Sequence, residues 1–174
     1  MISPLSRFEI LLVEEIPALR RYARALCGDI SEADDLVQEC LARAVSRRKL
    51  WIGHRGIRPW LFTILHNIFV NGLRRQANSR VIGTTEDYAQ SITSEQDADL
   101  LCTMSDFEKA VQQLSADQRE VLLLVGMEQM SYKEISKITG APVGTVMSRL
   151  SRAREQLRKS LDGEIKLASI KRIK

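Results

Sequence analysis

Apolar residues recur along the chain at spacings of three and four, which puts them on one face of a helix. Leu11, Leu12, Ile16, Leu19, Ala23 and Leu26 predict a first helix from about Ser6 to Cys27, with Pro17 kinking or restarting it. A second is predicted to open at Ser31, with Glu32, Asp34 and Asp35 in its first turn, where acids complement the helix dipole. Ala33, Leu36, Val37, Cys40, Leu41 and Ala44 form its apolar face, while Asp35, Gln38 and Glu39 project outward or sideways. Capping and a solvated face would account for these acids as well as a binding surface would.

The stretch "RPWLFTILHNIFVNGLRRQ" predicts a third helix from Pro59, with Leu61, Ile64, Leu65, Ile68 and Leu73 as core stripe. Trp60, Thr63, His66, Asn67, Val70 and Arg74 leave that helix on its other sides. Rings and amides beside arginines suit single-stranded nucleic acid, where bases stack and cations hold phosphates; Trp60 could equally be core.

Two helix starts of one kind follow in "SADQREVLLLVGMEQMSYKEISKITG". Ser115 with Gln118 and Ser131 with Glu134 match the capping-box spacing. The first of these helices is predicted to run to about Met127, burying Val121, Leu122, Leu124 and Val125. The second is short, with Ile135 and Ile138 inward, and ends at Gly140, a natural left-handed cap. In "GAPVGTVMSRLSRAREQLRK", Pro142 suits a first helical turn, and Val143, Val146, Leu150, Ala153 and Leu157 share a face. Gly144, Ser148, Ser151, Arg152, Glu155 and Lys159 lie opposite, with Arg149, Arg154 and Arg158 on the flanks. Helix, Gly-containing turn and amphipathic basic helix make a helix-turn-helix, whose second helix would enter the major groove. Gly144 would let that helix start approach a phosphate closely.

Charge sharpens this picture. Residues 1–75 carry twelve basic and eight acidic side chains, residues 76–104 one against five, and residues 105–174 thirteen against nine. Two basic blocks thus flank an acidic connector, "QANSRVIGTTEDYAQSITSEQDADLLCTM", which has no helical period in its first two thirds and reads as a linker. From Pro142 onward the balance is nine basic to three acidic, an electrostatic footprint for nucleic acid.

The 174 residues contain no apolar run near the ~20 needed to span a bilayer, and "MISPLSRFEI" lacks a signal-peptide layout; a cytoplasmic location without membrane insertion is expected. Cys27, Cys40 and Cys102 are widely spaced, so reduced thiols are expected rather than a disulfide or metal site. His54 and His66 have no Cys, Asp or Glu at ligand spacing, and no phosphate-cradling glycine pattern occurs. No catalytic residues, no metal and no cofactor are therefore assigned, and an enzyme is not expected.

The ordered set "EADDLVQE", "RPWLFTILHN" and "SYKEISKITGAPVGTVMSRLSRARE" resembles the extracytoplasmic-function (ECF) group of the sigma-70 family of bacterial RNA polymerase sigma factors, from about Phe8 to Leu161. The resemblance implies an all-α chain of two small helical domains joined by a flexible linker. Region 2 would span 6–76, the acidic linker 77–104, the region 4 helix-turn-helix 105–161 and a basic tail 162–174. The partners implied are core RNA polymerase (β′ clamp helices and β subunit), promoter DNA and an anti-sigma factor, in a stress or envelope response.

Asp34, Asp35, Gln38 and Glu39 match the family's docking surface for the β′ clamp helices. Trp60 and Asn67 match positions near the minus-10 element, with "LWIGHRGIR", including Arg58, close to the base pocket and Arg74 and Arg75 on phosphates. The linker would thread towards the polymerase active site and RNA exit channel. In region 4, Met147, Ser148, Ser151 and Arg152 correspond to base-reading positions, and Gly144 and Thr145 stand at the helix start. Arg149 and Arg154 fall at phosphates or are packed locally. Arg152 is the candidate for a bidentate guanine contact. Two alternatives stay open: a stand-alone helix-turn-helix regulator, and a sigma-like mimic that sequesters an anti-sigma factor.

Overall fold

In the computed structural model the described residues are 6–51, 56–80 and 106–171, with side chains described only to 78 in the second stretch and 161 in the third. His54, Cys102, most of the acidic linker and the last residues of the tail lie outside them. Every regular element among the described residues is a helix, and the chain divides into two compact units.

The first unit contains α1 (Arg7–Cys27), α2 (Ile30–Ser46), a 3-10 turn (Arg48–Leu50) and α3 (Ile57–Arg80). Ser6 caps α1: its Oγ accepts from the Glu9 N–H at 3.4 Å and the Glu9 carboxylate accepts from the Ser6 N–H at 2.7 Å. Hydrogen bonding to the Ser6 N–H, and then to the Ser6 side chain, holds the Glu9 carboxyl below its ordinary range. Gly28 ends α1 in the left-handed conformation at φ 76°.

Three sequence expectations change here. α1 runs unbroken through Pro17. The cap of α2 is Asp29, which accepts from the Glu32 N–H at 2.8 Å, so the helix starts one residue before Ser31. α3 begins at Ile57, two residues before Pro59, because the first-turn N–H groups have no helical partner and a proline there loses nothing. At its other end α3 continues to Arg80.

The core of this unit is Leu19, Tyr22, Ala23, Leu26, Val37, Cys40, Ala44, Leu61, Phe62 and Leu65, all essentially inaccessible to solvent. Tyr22 meets Phe62 edge-on at 5.0 Å, and the Cys40 thiol donates to the Leu61 carbonyl at 3.5 Å, joining α2 to α3. Phe62 was not in the predicted stripe, whereas Leu73 was and is 37% exposed. The stripe is wider than its period suggested at the start of α3 and gives out by Leu73. Leu11, Ile16 and Leu41 are only half-buried.

The second unit contains α4 (described residues 106–112), α5 (Ala116–Gly126) and α7 (Val143–Lys171), with α6 (Tyr132–Thr139) between the last two in the chain. Ser115 accepts from the Gln118 N–H, and Ser131 and Glu134 form both halves of their capping box. The α4–α5 corner is held by Arg119, which donates to the Gln112 carbonyl at 2.8 Å and the Leu114 carbonyl at 3.2 Å. α5 ends at Gly126, with Met127 as its cap. It buries Glu120, Val121, Leu123 and Leu124, so the inward face is turned from the one predicted and Leu122 and Val125 are half-buried.

Ile135 and Ile138 are buried, and Gly140 has the left-handed backbone its position requires, φ 70°. Val146, Leu150, Ala153 and Leu157 of α7 are buried, and α7 lies against α5. Val143 is 38% exposed, outside the apolar seam it was expected to join. Pro142 precedes α7, its carbonyl accepting from the Val146 N–H at 3.0 Å. α7 continues to Lys171.

Candidate functional site

The acid face of α2 is built on a buried back. Ala33, Leu36, Val37 and Cys40 are turned inward, so Asp35, Gln38 and Glu39 are exposed on the opposite side, and Asp34 stands half-buried at the edge. The spacings 34 to 38 and 35 to 39 put these groups on one strip. Glu39 is engaged within its own helix, its carboxylate accepting from Arg43 one turn on.

On α3, Trp60, Asn67 and Arg74 are spaced by seven and share a face. Asn67 and Arg74 are exposed, as is Arg75. The Asn67 amide donates to the Thr63 carbonyl at 2.8 Å, and the Thr63 hydroxyl donates to the Pro59 carbonyl at 2.8 Å. Trp60 is half-buried, edge-on to Phe8 at 6.2 Å, and Phe8 also lies 5.6 Å from Trp51. This aromatic cluster draws one ring from α1, one from the end of the 3-10 turn and one from α3. No periodicity within a single helix could have announced it.

Arg58 differs from the other arginines assigned to this surface. Its guanidinium donates to Glu15 of α1 at 2.9 Å and lies 5.6 Å from the centre of the buried Phe62 ring. It is bound into the first unit from two directions and cross-links the start of α3 to α1.

On α7, Gly144, Met147, Ser148, Ser151, Arg152 and Arg154 are exposed and Thr145 is half-buried. A side-chain carbon at Gly144 would meet nothing within 4 Å, so no packing inside the unit requires glycine there. Its bareness leaves the start of the helix open to close approach from outside. The Ser148 hydroxyl turns back onto the Thr145 carbonyl at 3.0 Å. Arg152 lies with Gln118, Glu155, Gln156 and Lys159 around a shallow open depression. Lys159 pairs with Glu155 at 2.8 Å, and that hydrogen bond keeps the Glu155 carboxyl below its ordinary range. Arg149 is 27% exposed and pairs with Asp117 in the first turn of α5, a link invisible in the sequence because 32 residues separate the two.

Among the described residues, no group of three or more His, Cys, Asp or Glu could hold a metal ion, and no helix is long and apolar enough to cross a membrane. An all-helical unit with an acid strip is followed by a helix-turn-helix with exposed arginines on its last helix, an arrangement that fits a two-domain DNA-binding protein.

Residues 12–66 match the family described as the Sigma2 domain of PhyR, and residues 104–157 match Sigma-70, region 4. The chain is 36% identical to the ECF RNA polymerase sigma factor EcfG of Rhodopseudomonas palustris, covering 84% of this chain and 80% of that protein. It is also 36% identical to SigL of Mycobacterium tuberculosis, over 85% of each. The sigma factor RpoE of Bartonella quintana, solved with the anti-sigma factor NepR, superposes with a TM-score of 0.75 at 35% identity, covering 91% of this chain and 98% of that one. The chain belongs to the ECF RNA polymerase sigma factors. Its likeness to the anti-anti-sigma factor PhyR of Bartonella quintana, at 17% identity and a TM-score of 0.58, is one of fold alone and spans 86% of this chain and 49% of that one.

Proposed function

We propose that this sigma factor divides its work between its two units. The acid strip of α2, Asp34, Asp35, Gln38 and Glu39, docks on the clamp helices of the polymerase β′ subunit, with further contacts to the β subunit. The adjoining face of α3 serves the minus-10 element: Asn67 and the free edge of Trp60 meet opened bases, Arg74 and Arg75 hold phosphates, and Arg58 borders the pocket from its tether on Glu15. α7 takes the minus-35 element. Gly144 and Thr145 bring the helix start to the backbone, Met147, Ser148, Ser151 and Arg152 face base edges, and Arg154 reaches a phosphate. The chain has no chemistry of its own in this reading; it works in the cytoplasm, and nucleotide addition belongs to the core enzyme.

The observation that carries this reading is the contrast in exposed charge between α2 and α7. α2 exposes carboxylates and an amide, whereas α7 exposes guanidinium groups at Arg152 and Arg154. A carboxylate strip suits a basic protein surface and guanidinium groups suit phosphates, and here the two stand on different helices.

An anti-sigma factor of the NepR kind is the regulator this reading favours. The sigma factor RpoE, 35% identical, was solved with NepR, and PhyR, whose Sigma2 family matches residues 12–66, was solved with NepR as well. That a mimic shares the fold keeps a sequestering role in view, and the exposed arginines of α7 favour the sigma factor.

Transcription in vitro tests the whole. Purified protein, core polymerase and fragmented genomic DNA from the source organism should give discrete starts that appear only with the protein, and an added NepR-like protein should silence them. Binding to the anti-sigma factor without binding to core would make the chain a mimic.

A further inference from the structure

We propose that Arg149 is a positioning residue for minus-35 recognition: its pair with Asp117 fixes how α7 crosses α5, and through that where Ser148 and Arg152 meet the DNA. The inference rests on α7 being the minus-35 reader.

α7 carries Arg149, Arg152, Arg154 and Arg158 within its side-chain-described length, and a reading from charge alone would treat them as equivalent phosphate ligands. The structure separates them. Arg152, Arg154 and Arg158 are exposed, while Arg149 is 27% exposed and reaches back to a carboxylate on another helix. Asp117 sits in the first turn of α5, where a negative charge already complements the helix dipole.

The seam between α5 and α7 is built mainly on apolar residues, Val121 and Leu124 fully buried on one side and Val146, Leu150 and Ala153 on the other, while α5 also buries Glu120. Apolar burial is non-directional, so such a seam tolerates a small roll or slide of one helix on the other. Two polar links bias that freedom towards one crossing. Arg149 with Asp117 holds one end, and two turns further along α7 the Gln156 amide donates to the Gln113 carbonyl at 3.3 Å.

Arg152 is one turn beyond Arg149 on α7, so a roll at Arg149 moves the guanidinium that would meet a base. Bidentate contacts in the major groove are sensitive to such displacements. Asp117 is 57% exposed and the pair is screened by solvent, so its effect is on geometry more than on the folding of the unit.

The test uses the complete sigma factor with core polymerase on a promoter found by mapping transcription starts. Promoter affinity is measured across a salt series for Arg149→Ala, Asp117→Asn, Arg152→Ala and the charge exchange Asp117→Arg with Arg149→Asp. The clamp predicts that Arg149→Ala and Asp117→Asn weaken binding alike, about two- to fivefold, with the salt slope unchanged and base discrimination at the minus-35 element reduced. The exchange variant, whose net charge is that of the native chain, recovers most of the affinity. A slope lowered by ~0.9 in Arg149→Ala, with Asp117→Asn binding as tightly as the native protein or tighter, makes Arg149 a phosphate ligand and overturns the proposal. Arg152→Ala distinguishes this failure from failure of the underlying reading. Lost affinity there with none lost in Asp117→Asn rejects the clamp alone; no loss in any variant removes α7 from the promoter. Thermal melts of each variant show whether a loss comes from unfolding, and a loss that tracks the melt also counts against the clamp.

Discussion

Cys40 shows how one buried side chain ties two helices together and leaves a titration signature. It is fully inaccessible, its thiol donates to the Leu61 carbonyl, and burial pushes its pKa from the ordinary 9.0 up to about 12. The sign follows directly. Between about 9 and 12 the unfolded chain releases this proton and the folded chain keeps it, so stability falls as pH rises through that window. Below the ordinary value both states hold the proton and the effect vanishes. Cys40→Ala should flatten the alkaline decline by up to roughly 1.4 kcal/mol per pH unit, read from denaturant midpoints of the two proteins. Iodoacetamide at neutral pH should leave Cys40 unmodified until the protein is unfolded, as peptide mass spectrometry would report. The sequence suggested a reduced, partly buried thiol at this position. The bond to Leu61 was beyond it, because that carbonyl belongs to another helix. Arg58 and Arg149 were legible as cations in the segments proposed to meet DNA, while Glu15 and Asp117, the carboxylates that hold them, come from distant helices.

Among the helices, α6 leans heavily on its ends. Its eight residues are too few to hold a helix unaided, so the capping box formed by Ser131 and Glu134 and the left-handed Gly140 define where it begins and stops. Ser131→Ala should cost about 1 kcal/mol, seen as faster amide exchange along α6 and a lower melting temperature, with weaker minus-35 binding and unchanged binding to core polymerase. Both ends of α6 were readable in advance because caps are contacts between residues three or four apart. The helix-turn-helix and the acid strip of α2 were readable for the same reason. Where local cues ran out, the readings drifted. Asp29 displaced Ser31 as cap because either residue type suits that position. The inward face of α5 turned to Leu123 and Glu120 because a run of Leu and Val has no polar residue to mark its register. Pro17 left α1 unbroken.

Across the whole molecule, the acid strip of α2 and the exposed arginines of α7 stand on separate units, so the two proposed binding activities should be separable by mutation. Asp35 and Glu39 are exposed over a fully buried back, so replacing both with Lys adds positive charge without opening the core. Glu39 also pairs with Arg43, and reversing it places two cations one turn apart; an i,i+4 repulsion of this kind costs a few tenths of a kcal/mol, too little to unfold α2. The double reversal should therefore abolish binding to core polymerase while free protein keeps its melting temperature. Arg152→Ala acts at the other unit. It should leave core binding intact and weaken initiation at promoters that depend on a minus-35 element by roughly 1–3 kcal/mol, about five- to 150-fold. Because each phosphate contact releases counterions, the comparison belongs at one fixed ionic strength. Core affinity by fluorescence titration and transcript yield from the same preparations give the two readouts. If both substitutions reduced core affinity and neither changed promoter choice at saturating polymerase, α7 would be a protein-docking helix, and the division of labour drawn from its arginines would be wrong.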